Sequence, residues 1–227
     1  MHKVHKNISG CRLIPLGKLD NNAPRMIHPA TELRHINDTI GFGVFATAFI
    51  PAGSITWVRD ELDQVFTAEH MARLPAHYQG FLHKYTFADA KGRHILCWDH
   101  ARFVNHSCEA TCLSAGFDFE IAVRDLHPGD ELTDDYGTLN LTEDFACACN
   151  SPRCRQVIRP DDMLRLADSW DAQVEPLFRR IRDVSQPLWP FVSDLETVEK
   201  VLANQAPYRS TRLNYFHRAC QATPQLA

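Results

Sequence analysis

Apolar positions in the first two thirds of the chain follow the pattern of short strands. β-branched and aromatic runs extend from Val44 to Ile50 and from Ile55 to Val58, with a Pro-Ala-Gly turn between them. In segment 117–124 apolar and polar residues alternate, which places one face of a strand in a core. A turn at His127-Pro-Gly-Asp130 then leads into a strand at Glu131-Leu-Thr133. The pattern predicts a mainly β region.

Helical spacing replaces the strand pattern after Pro160, and one short helix is also predicted before it. Thr67 can cap a helix from Ala68 to Leu74, which Pro75 ends. The apolar residues at helical spacing near the C-terminus are Met163, Leu166, Trp170, Val174, Leu177 and Ile181, with Pro176 as a kink or break. Ser193-Asp-Leu-Glu196 has the form of a capping box and predicts a second helix through Leu202. The expected fold class is α+β, mainly β with a helical C-terminal extension.

Composition and charge narrow the function classes. The 227-residue chain has a net charge of -4 and no run of Lys or Arg, which disfavours direct nucleic-acid binding. The N-terminus lacks the apolar core of a secretory signal, so we expect an intracellular, reducing compartment, either cytoplasm or nucleus. The uncharged run from Gly41 to Val58 is interrupted by Pro51 and Gly53, which favours buried strands over a membrane span.

Three closely spaced cysteines indicate a metal site. Cys147, Cys149 and Cys154 can occupy three corners of one tetrahedral zinc site. Candidates for the fourth ligand are Cys108, Cys112, Cys97 and His106. The alternative is three buried apolar thiols, but the polar turn from Asn150 to Arg153 between them favours zinc.

Three further motifs each leave alternatives open. Segment 41–46 satisfies G-x-G-x-x-A, but no helix can follow it, so its two glycines indicate close approach of either a ligand or a neighbouring strand. His106 and Cys108 could be a base and a thiol nucleophile, yet no oxyanion machinery is identifiable and a zinc-bound Cys108 could not attack. Tyr136 is either a core residue with its hydroxyl at the surface or a functional residue.

Four motifs follow one another along the chain: Gly41-Phe-Gly43, Arg102-Phe-Val-Asn-His-Ser-Cys108, Glu131-Leu-Thr-Asp-Asp-Tyr-Gly137 and Phe145-Ala-Cys-Ala-Cys-Asn-Ser-Pro-Arg-Cys-Arg155. Taken together, they resemble the SET-domain protein lysine methyltransferases with a post-SET zinc module. The resemblance covers about residues 31–156. It divides the chain into an N-terminal arm (1–30), a SET domain (31–140), a post-SET zinc module (141–158) and a helical C-terminal extension (159–227).

The resemblance implies small β-sheets around a knot-like core, S-adenosylmethionine as methyl donor and a lysine-containing protein substrate such as a histone. Tyr136 would be catalytic. The implied cofactor-binding residues are Gly41, Phe42, Gly43, Arg102, Asn105, His106, Tyr136 and Phe145, and the implied zinc ligands are Cys108, Cys147, Cys149 and Cys154. No membrane partner is expected.

The chain departs from the family pattern at Asp134, where a Phe or Tyr is usual. A carboxylate in the lysine channel would favour the charged ammonium, so we expect Asp134 to face outward or to hold a water. The acidic residues Asp130, Glu131, Asp134, Asp135, Glu143 and Asp144 either attract a basic peptide or form a solvated turn. The competing function is a non-catalytic SET-like module that binds a peptide.

Overall fold

The computed structural model describes residues 26–217. Most of the predicted N-terminal arm, residues 1–25, and residues 218–227 lie outside the described part. Within it the strands are β1 (Thr31–Asn37), β2 (Gly41–Ala46), β3 (Ile55–Val58), β4 (Gln64–Phe66), β5 (Thr86–Ala88), β6 (His94–Leu96), β7 (Asn105–His106), β8 (Cys112–Phe117), β9 (Phe119–Ala122), β10 (Glu131–Asp134), β11 (Phe145–Ala146) and β12 (Val157–Ile158). The helices are α1 (Ala68–Arg73), α2 (Ala76–Tyr85), α3 (Asp162–Phe178) and α4 (Leu195–Leu202).

Small sheets make up the β part, as the sequence predicts. The strand orders are β1-β2-β10-β7, β3-β9-β8, β4-β6-β5 and β11-β12. In the first sheet β10 pairs antiparallel with β2 and parallel with β7, so it joins segments that are far apart in sequence. No helix between residues 26 and 217 has the length and hydropathy of a membrane span.

The β3 strand has the predicted bounds, whereas β2 is shifted. It begins at Gly41 rather than Val44 and ends at Ala46, because residues 47–49 are exposed and leave the sheet. Ile50 makes an isolated bridge with Leu126 instead. In the alternating segment Phe117, Phe119 and Ile121 are buried as predicted.

Helix α1 is close to its prediction, and the Thr67 side chain accepts a hydrogen bond from the His70 amide. The sequence analysis missed α2, which begins directly after Pro75. A proline is tolerated where a helix starts, so Pro75 ends one helix and precedes the next. Leu82 is the buried residue of α2, which explains why no apolar stripe predicted this helix.

The C-terminal helices differ from prediction at their ends. Helix α3 continues through Pro176, so the predicted break at this proline does not occur. The helix ends two residues later, which places Pro176 in its last turn. The predicted capping box is wrong: Asp194 holds the N-cap position of α4 and no side-chain cap bond forms. The helix therefore starts one residue later than Ser193 requires, which removes the reciprocal Ser–Glu spacing.

Helices and sheet share one hydrophobic core. The rings of Phe117 and Phe119 stack with a centroid distance of 5.5 Å, and Phe117 stacks on Phe178 of α3 at 5.6 Å. Trp170 of α3 reaches the segment after β10, where a Cβ on Gly137 would lie 3.0 Å from its ring. The helical extension therefore supports the segment that carries Tyr136.

Candidate active site and metal centre

Two distant segments meet at Tyr136. In the parallel pair β7 and β10, Thr133 lies opposite Asn105 and Asp134 opposite His106. The Tyr136 amide donates to His106 Nδ1 at 3.1 Å, and the Tyr136 hydroxyl donates to the Val104 carbonyl at 3.0 Å. Both ends of the tyrosine are therefore held by the segment that contains Asn105 and His106.

The environment of Tyr136 keeps its hydroxyl protonated. Burial raises the pKa of Tyr136 above its usual range, and the nearby charges of Asp134 and Glu131 raise it further. The tyrosine ring lies 5.2 Å from the His106 ring and 5.8 Å from the Phe145 ring. At neutral pH this site thus offers a neutral, positioned O–H group.

Tyr136 lines a cavity of about 400 Å³. Arg102, Glu120 and Asp134 line it too. The Arg102 guanidinium donates to the Trp98 carbonyl at 2.9 Å and lies over the Phe103 ring. Of the predicted cofactor residues, Arg102 and Tyr136 are in the cavity wall, while the others lie outside it.

Asp134 does not face outward, so the first of the two expectations for it is wrong, and the expectation that it holds a water stays a prediction. Its residue is 4% exposed, and it lines the cavity. One carboxylate oxygen accepts from the Asp135 amide at 2.6 Å and the other from the Thr138 hydroxyl at 3.4 Å. The turn that follows β10 folds back over the strand end and supplies these donors.

The two glycines of β2 have different roles. A Cβ on Gly43 would lie 2.5 Å from Glu131 Oε1 and 3.0 Å from Asn105 Nδ2, so the second glycine allows neighbouring chains to approach. The side-chain amide of Asn105 donates to the Phe42 carbonyl and to the Glu131 carboxylate. Gly41 has φ +87° and faces open space. Phe42, between them, is 43% exposed.

Replacing Gly43 by Ala is expected to lower the free energy of unfolding by about 1 to 3 kcal/mol, because the new methyl overlaps Glu131 and Asn105. Gly80→Ala is the matched control. Gly80 lies in α2 with open space around it, and alanine there should stabilise by about 0.5 to 1 kcal/mol. Urea unfolding of both variants measures the difference, and equal effects would contradict the tight packing at Gly43.

Four cysteine sulfurs form a cluster beside this site. Cys147 Sγ lies 3.8 Å from Cys108 Sγ and 3.6 Å from Cys154 Sγ. The Cys149 thiol interacts with those of Cys147 and Cys154. Four thiolates about 2.3 Å from a zinc ion are separated by about 3.8 Å along a tetrahedron edge. The sulfur separations therefore fit a tetrahedral zinc site.

His106 also lies within reach of the cluster, and its hydrogen bonds indicate a supporting role. Together with Cys108, Cys147 and Cys149 it could place ligand atoms within 4.8 Å of one another. Its Nδ1 accepts from the Tyr136 amide, so the proton is on Nε2, which lies 3.3 Å from Cys108 Sγ. In this tautomer His106 donates to the sulfur instead of binding a metal.

Backbone amides surround the cluster with further donors. The Arg155 amide donates to Cys108 Sγ at 3.3 Å, and the Gln156 amide donates to Cys154 Sγ at 3.4 Å. Burial opposes ionisation of Cys149, but the amide donors of Cys108 and Ser151, together with the thiols of Cys147 and Cys154, outweigh it and bring the pKa of Cys149 to about 7. These donors favour the thiolate of Cys149, which is the metal-binding form, whereas burial raises the pKa values of Cys108 and Cys147.

The other two cysteines considered as the fourth ligand lie elsewhere. Cys112 is in a hydrophobic cluster with Val44 and Leu132, and burial raises its pKa to about 12. Cys97 is buried in the cavity wall, where burial raises its pKa well above the usual value. Both are therefore neutral thiols outside the sulfur cluster.

Two of the six acids that the sequence analysis grouped together, Asp134 and Asp135, are buried and so do not belong to an acidic surface. Arg155 donates to both carboxylate oxygens of Asp135, at 2.5 and 2.6 Å, and Trp170 Nε1 donates to it at 3.2 Å. This ion pair joins the cysteine segment to the turn that carries Tyr136. Arg155 directly follows Cys154, and sequence reasoning attached no role to it.

Sequence reasoning also missed Glu120. It belongs to no motif, and the only signal is its place between the buried residues Phe119 and Ile121 of β9. Strand alternation turns Glu120 away from the core and into the cavity wall.

Small sheets, a tyrosine where two segments meet and a cysteine cluster beside it define a class of mainly β domains with a candidate metal site. Residues 41–137 match the family model described as SET domain. Segment 41–137 is therefore similar to a SET domain, as the motifs predicted, and this match includes Asn105, His106 and Tyr136.

Curated relatives are similar over limited lengths. The chain is 40% identical over 65 residues to Histone-lysine N-methyltransferase ATX2 of Arabidopsis thaliana, an alignment of 26% of this chain and 6% of that protein. It is 31% identical over 122 residues to Histone-lysine N-methyltransferase ash1 of Drosophila melanogaster, covering 48% of this chain and 6% of that protein. The matches thus span a small fraction of these relatives.

Two solved structures are also similar. The methyltransferase domain of human Histone-lysine N-methyltransferase SETMAR has a TM-score of 0.41 and 19% identity, with 58% of each chain covered. KRYPTONITE in complex with mCHH DNA, H3(1-15) peptide and SAH has a TM-score of 0.39 and 26% identity, covering 56% of this chain and 29% of that chain.

Proposed function

We propose that this protein transfers methyl groups from S-adenosylmethionine to the side-chain amine of lysine in a protein substrate, with histones as the first candidate. The observation that carries the proposal is Tyr136, a positioned neutral hydroxyl in the wall of a cavity, within the stretch that matches the SET domain. The names of the curated relatives, all histone-lysine N-methyltransferases, support the same reaction.

S-adenosylmethionine supplies an electrophilic methyl carbon on a sulfonium. The residues proposed to hold it are Gly41, Phe42, Gly43, Arg102, Asn105, His106, Tyr136 and Phe145. Two observations favour this set. The backbone at Gly41 faces open space, and the exposed rings of Phe42 and Phe145 offer aromatic faces to a cation or an adenine. Asn105 and Gly43 are engaged with neighbouring residues, so they would contribute through their backbone.

Catalysis by these residues would be mainly alignment. The Tyr136 hydroxyl is fixed to the Val104 carbonyl, and its ring is held between His106 and Phe145. A lysine amine in the cavity would meet this fixed group while the cavity wall limits its access to water. Lysine must also lose a proton, since its pKa in water is about 10.4.

We further propose that Cys108, Cys147, Cys149 and Cys154 bind one zinc ion. Its role would be structural, because four thiolates leave no open coordination position. The bound ion would fix the segment that carries Phe145 against Tyr136. Such a thiolate site also requires a reducing compartment, and a histone substrate would place the protein in the cytoplasm or nucleus.

Two measurements test the proposed function. Titration calorimetry measures binding of S-adenosylmethionine, and a transfer assay measures labelled methyl groups added to a histone mixture. We expect cofactor binding, label in histone, and mass spectra that place added methyl groups on lysine. Peptide binding without transfer would instead establish the non-catalytic module, and absence of cofactor binding would eliminate the enzyme.

A further inference from the structure

The cavity that Tyr136 lines also contains two carboxylates that no motif explains. We propose that Glu120 and Asp134 form a carboxylate pair that receives the ammonium of the target lysine and takes its proton before methyl transfer. This inference rests on the proposed function and adds two catalytic residues to it.

The two carboxylates come from different sheets and meet in the wall of one cavity, where the charge of Glu120 acts on Asp134. Glu120 is on β9, opposite Ser114 of β8 and beside Trp57 of β3. Asp134 ends β10, two residues before Tyr136. All of these residues line the same cavity. A side chain that reaches Tyr136 through the cavity would therefore meet both carboxylates.

Polar groups in this cavity are open to a ligand. Asp134 has backbone and hydroxyl donors on its oxygens, but no hydrogen bond or ion pair reaches the Glu120 side chain from residues 26–217. In the same wall, Trp57 Nε1 is buried and has no partner in the part of the chain described. A cation with N–H donors would satisfy the acceptor oxygens of both acids.

Both acids hold a proton more tightly than a free carboxyl group does. Burial raises the pKa of Glu120 to about 7. Burial, followed by the charges of Glu120 and Asp135, raises the pKa of Asp134 well above its usual value. Because like charges oppose each other's ionisation, the first proton leaves the pair more easily than the second.

The other charged and titratable groups around the pair are not expected to accept the proton of the lysine ammonium. Cys97, Cys112 and Tyr136 are held neutral by burial, and Asp135 is paired with Arg155. The remaining charged residues in the cavity walls are Arg59, Lys84, Asp89, Lys91, Arg93, Arg102, Asp118, Asp194 and Arg209. Asp89 is bound to Arg59 and Arg93, and Arg209 to Asp194.

The proton and electron changes balance. When the lysine ammonium enters, a proton held by the pair leaves to solvent. One N–H bond of the ammonium then breaks, and its proton moves to a carboxylate oxygen. The nitrogen lone pair forms the new N–C bond while the C–S bond of the sulfonium methyl donor breaks, and those electrons stay on sulfur. Methylated ammonium leaves, and the pair again holds one proton.

This arrangement resolves the conflict that a single ionised Asp134 would create. An ordinary carboxyl with a pKa of about 4 would hold lysine, with a pKa of about 10.4, in its charged form. A pair with a pKa near that of Glu120, about 7, is a stronger base and accepts the proton more readily. We therefore expect kcat/KM to rise with pH through the titration of the pair, since only its ionised form accepts a proton.

Glu120→Gln and Asp134→Asn test the inference separately, with Asp118→Asn as the control. Asp118 lies in the same cavity wall but is exposed, so its variant makes an equal charge change at the rim. At pH 7 we expect kcat/KM for a lysine peptide to fall about 100-fold in each test variant, with the pH profile displaced toward the pKa of lysine. The control should keep the parent profile.

Proton release on peptide binding gives a second readout, measured by calorimetry at pH 6.5 in buffers of different ionisation enthalpy. The parent chain should release a proton, and Glu120→Gln should release less. Should Asp134→Asn fail to fold, Glu120→Gln alone decides. Parent activity with unchanged pH profiles in the variants would overturn the inference and leave the function standing, whereas a parent chain without transfer would overturn both.

Discussion

Replacing Tyr136 by Phe should lower the rate of methyl transfer by about 100-fold or more while the fold is kept. The hydroxyl holds the ring to the Val104 carbonyl at 3.0 Å, and the neutral O–H faces the cavity in which the amine would react. A displacement of about 1 Å in the reacting groups can cost about 100-fold in rate. The lost hydrogen bond itself is worth only about 0.5 to 1.5 kcal/mol of stability.

Initial rates with labelled S-adenosylmethionine, together with thermal unfolding, measure both effects. Tyr208→Phe is the matched control, because Tyr208 is also a tyrosine with a raised pKa, its ring packs on Phe178, and it is not in the cavity wall. That variant should keep the parent rate. A Tyr136→Phe protein as active as its parent would remove the observation on which the proposed function depends.

Replacing Cys149 by Ser should remove most of the bound zinc and most of the activity. Elemental analysis of the parent chain should give about one zinc per chain, because four thiolates at tetrahedral spacing form a closed structural site. A serine hydroxyl is a poor zinc ligand, and three remaining thiolates bind less tightly. Metal binding and folding of such a segment are coupled, so unfolding should begin at a lower temperature.

Activity should fall with the zinc because the cysteine segment supports Tyr136 directly. Phe145, two residues before Cys147, lies against the Tyr136 ring, and Arg155, next to Cys154, pairs with Asp135. Cys97→Ser is the control for loss of a thiol, since Cys97 lies outside the sulfur cluster, and its zinc content should match the parent. Full zinc in Cys149→Ser would contradict the assignment of the ligands.

The positions of the motifs could be predicted from the sequence, because each motif carries its own chemistry. Cys147, Cys149 and Cys154 are close in sequence, so their ability to share a metal does not depend on distant pairing. The strand pattern around Ile55 to Val58 and the alternation at Phe119 and Ile121 are likewise local. The predictions were wrong where a single residue sets the end of a helix. The sequence predicts Ser193 as the N-cap of α4, but the N-cap is Asp194.

The burial and the partners of individual side chains could be determined only from the tertiary structure. Asp134 and Asp135 read as surface acids in sequence, yet β10 is an inner strand of its sheet, and the turn after it buries both. Glu120 enters the cavity only because β9 lies between β3 and β8. The role of His106 depends on the proton position that the Tyr136 amide imposes.

The sequence by itself determined which candidate chemistry this protein carries: a cysteine cluster suited to a metal, a tyrosine motif and the strands that hold them. Only the tertiary structure decided which polar residues face the cavity, which acids are paired with Arg155 and which atom of His106 carries the proton. The physical reason is that ligand chemistry belongs to residue types and short spacings, whereas burial and electrostatic environment depend on strands and helices that are far apart along the chain.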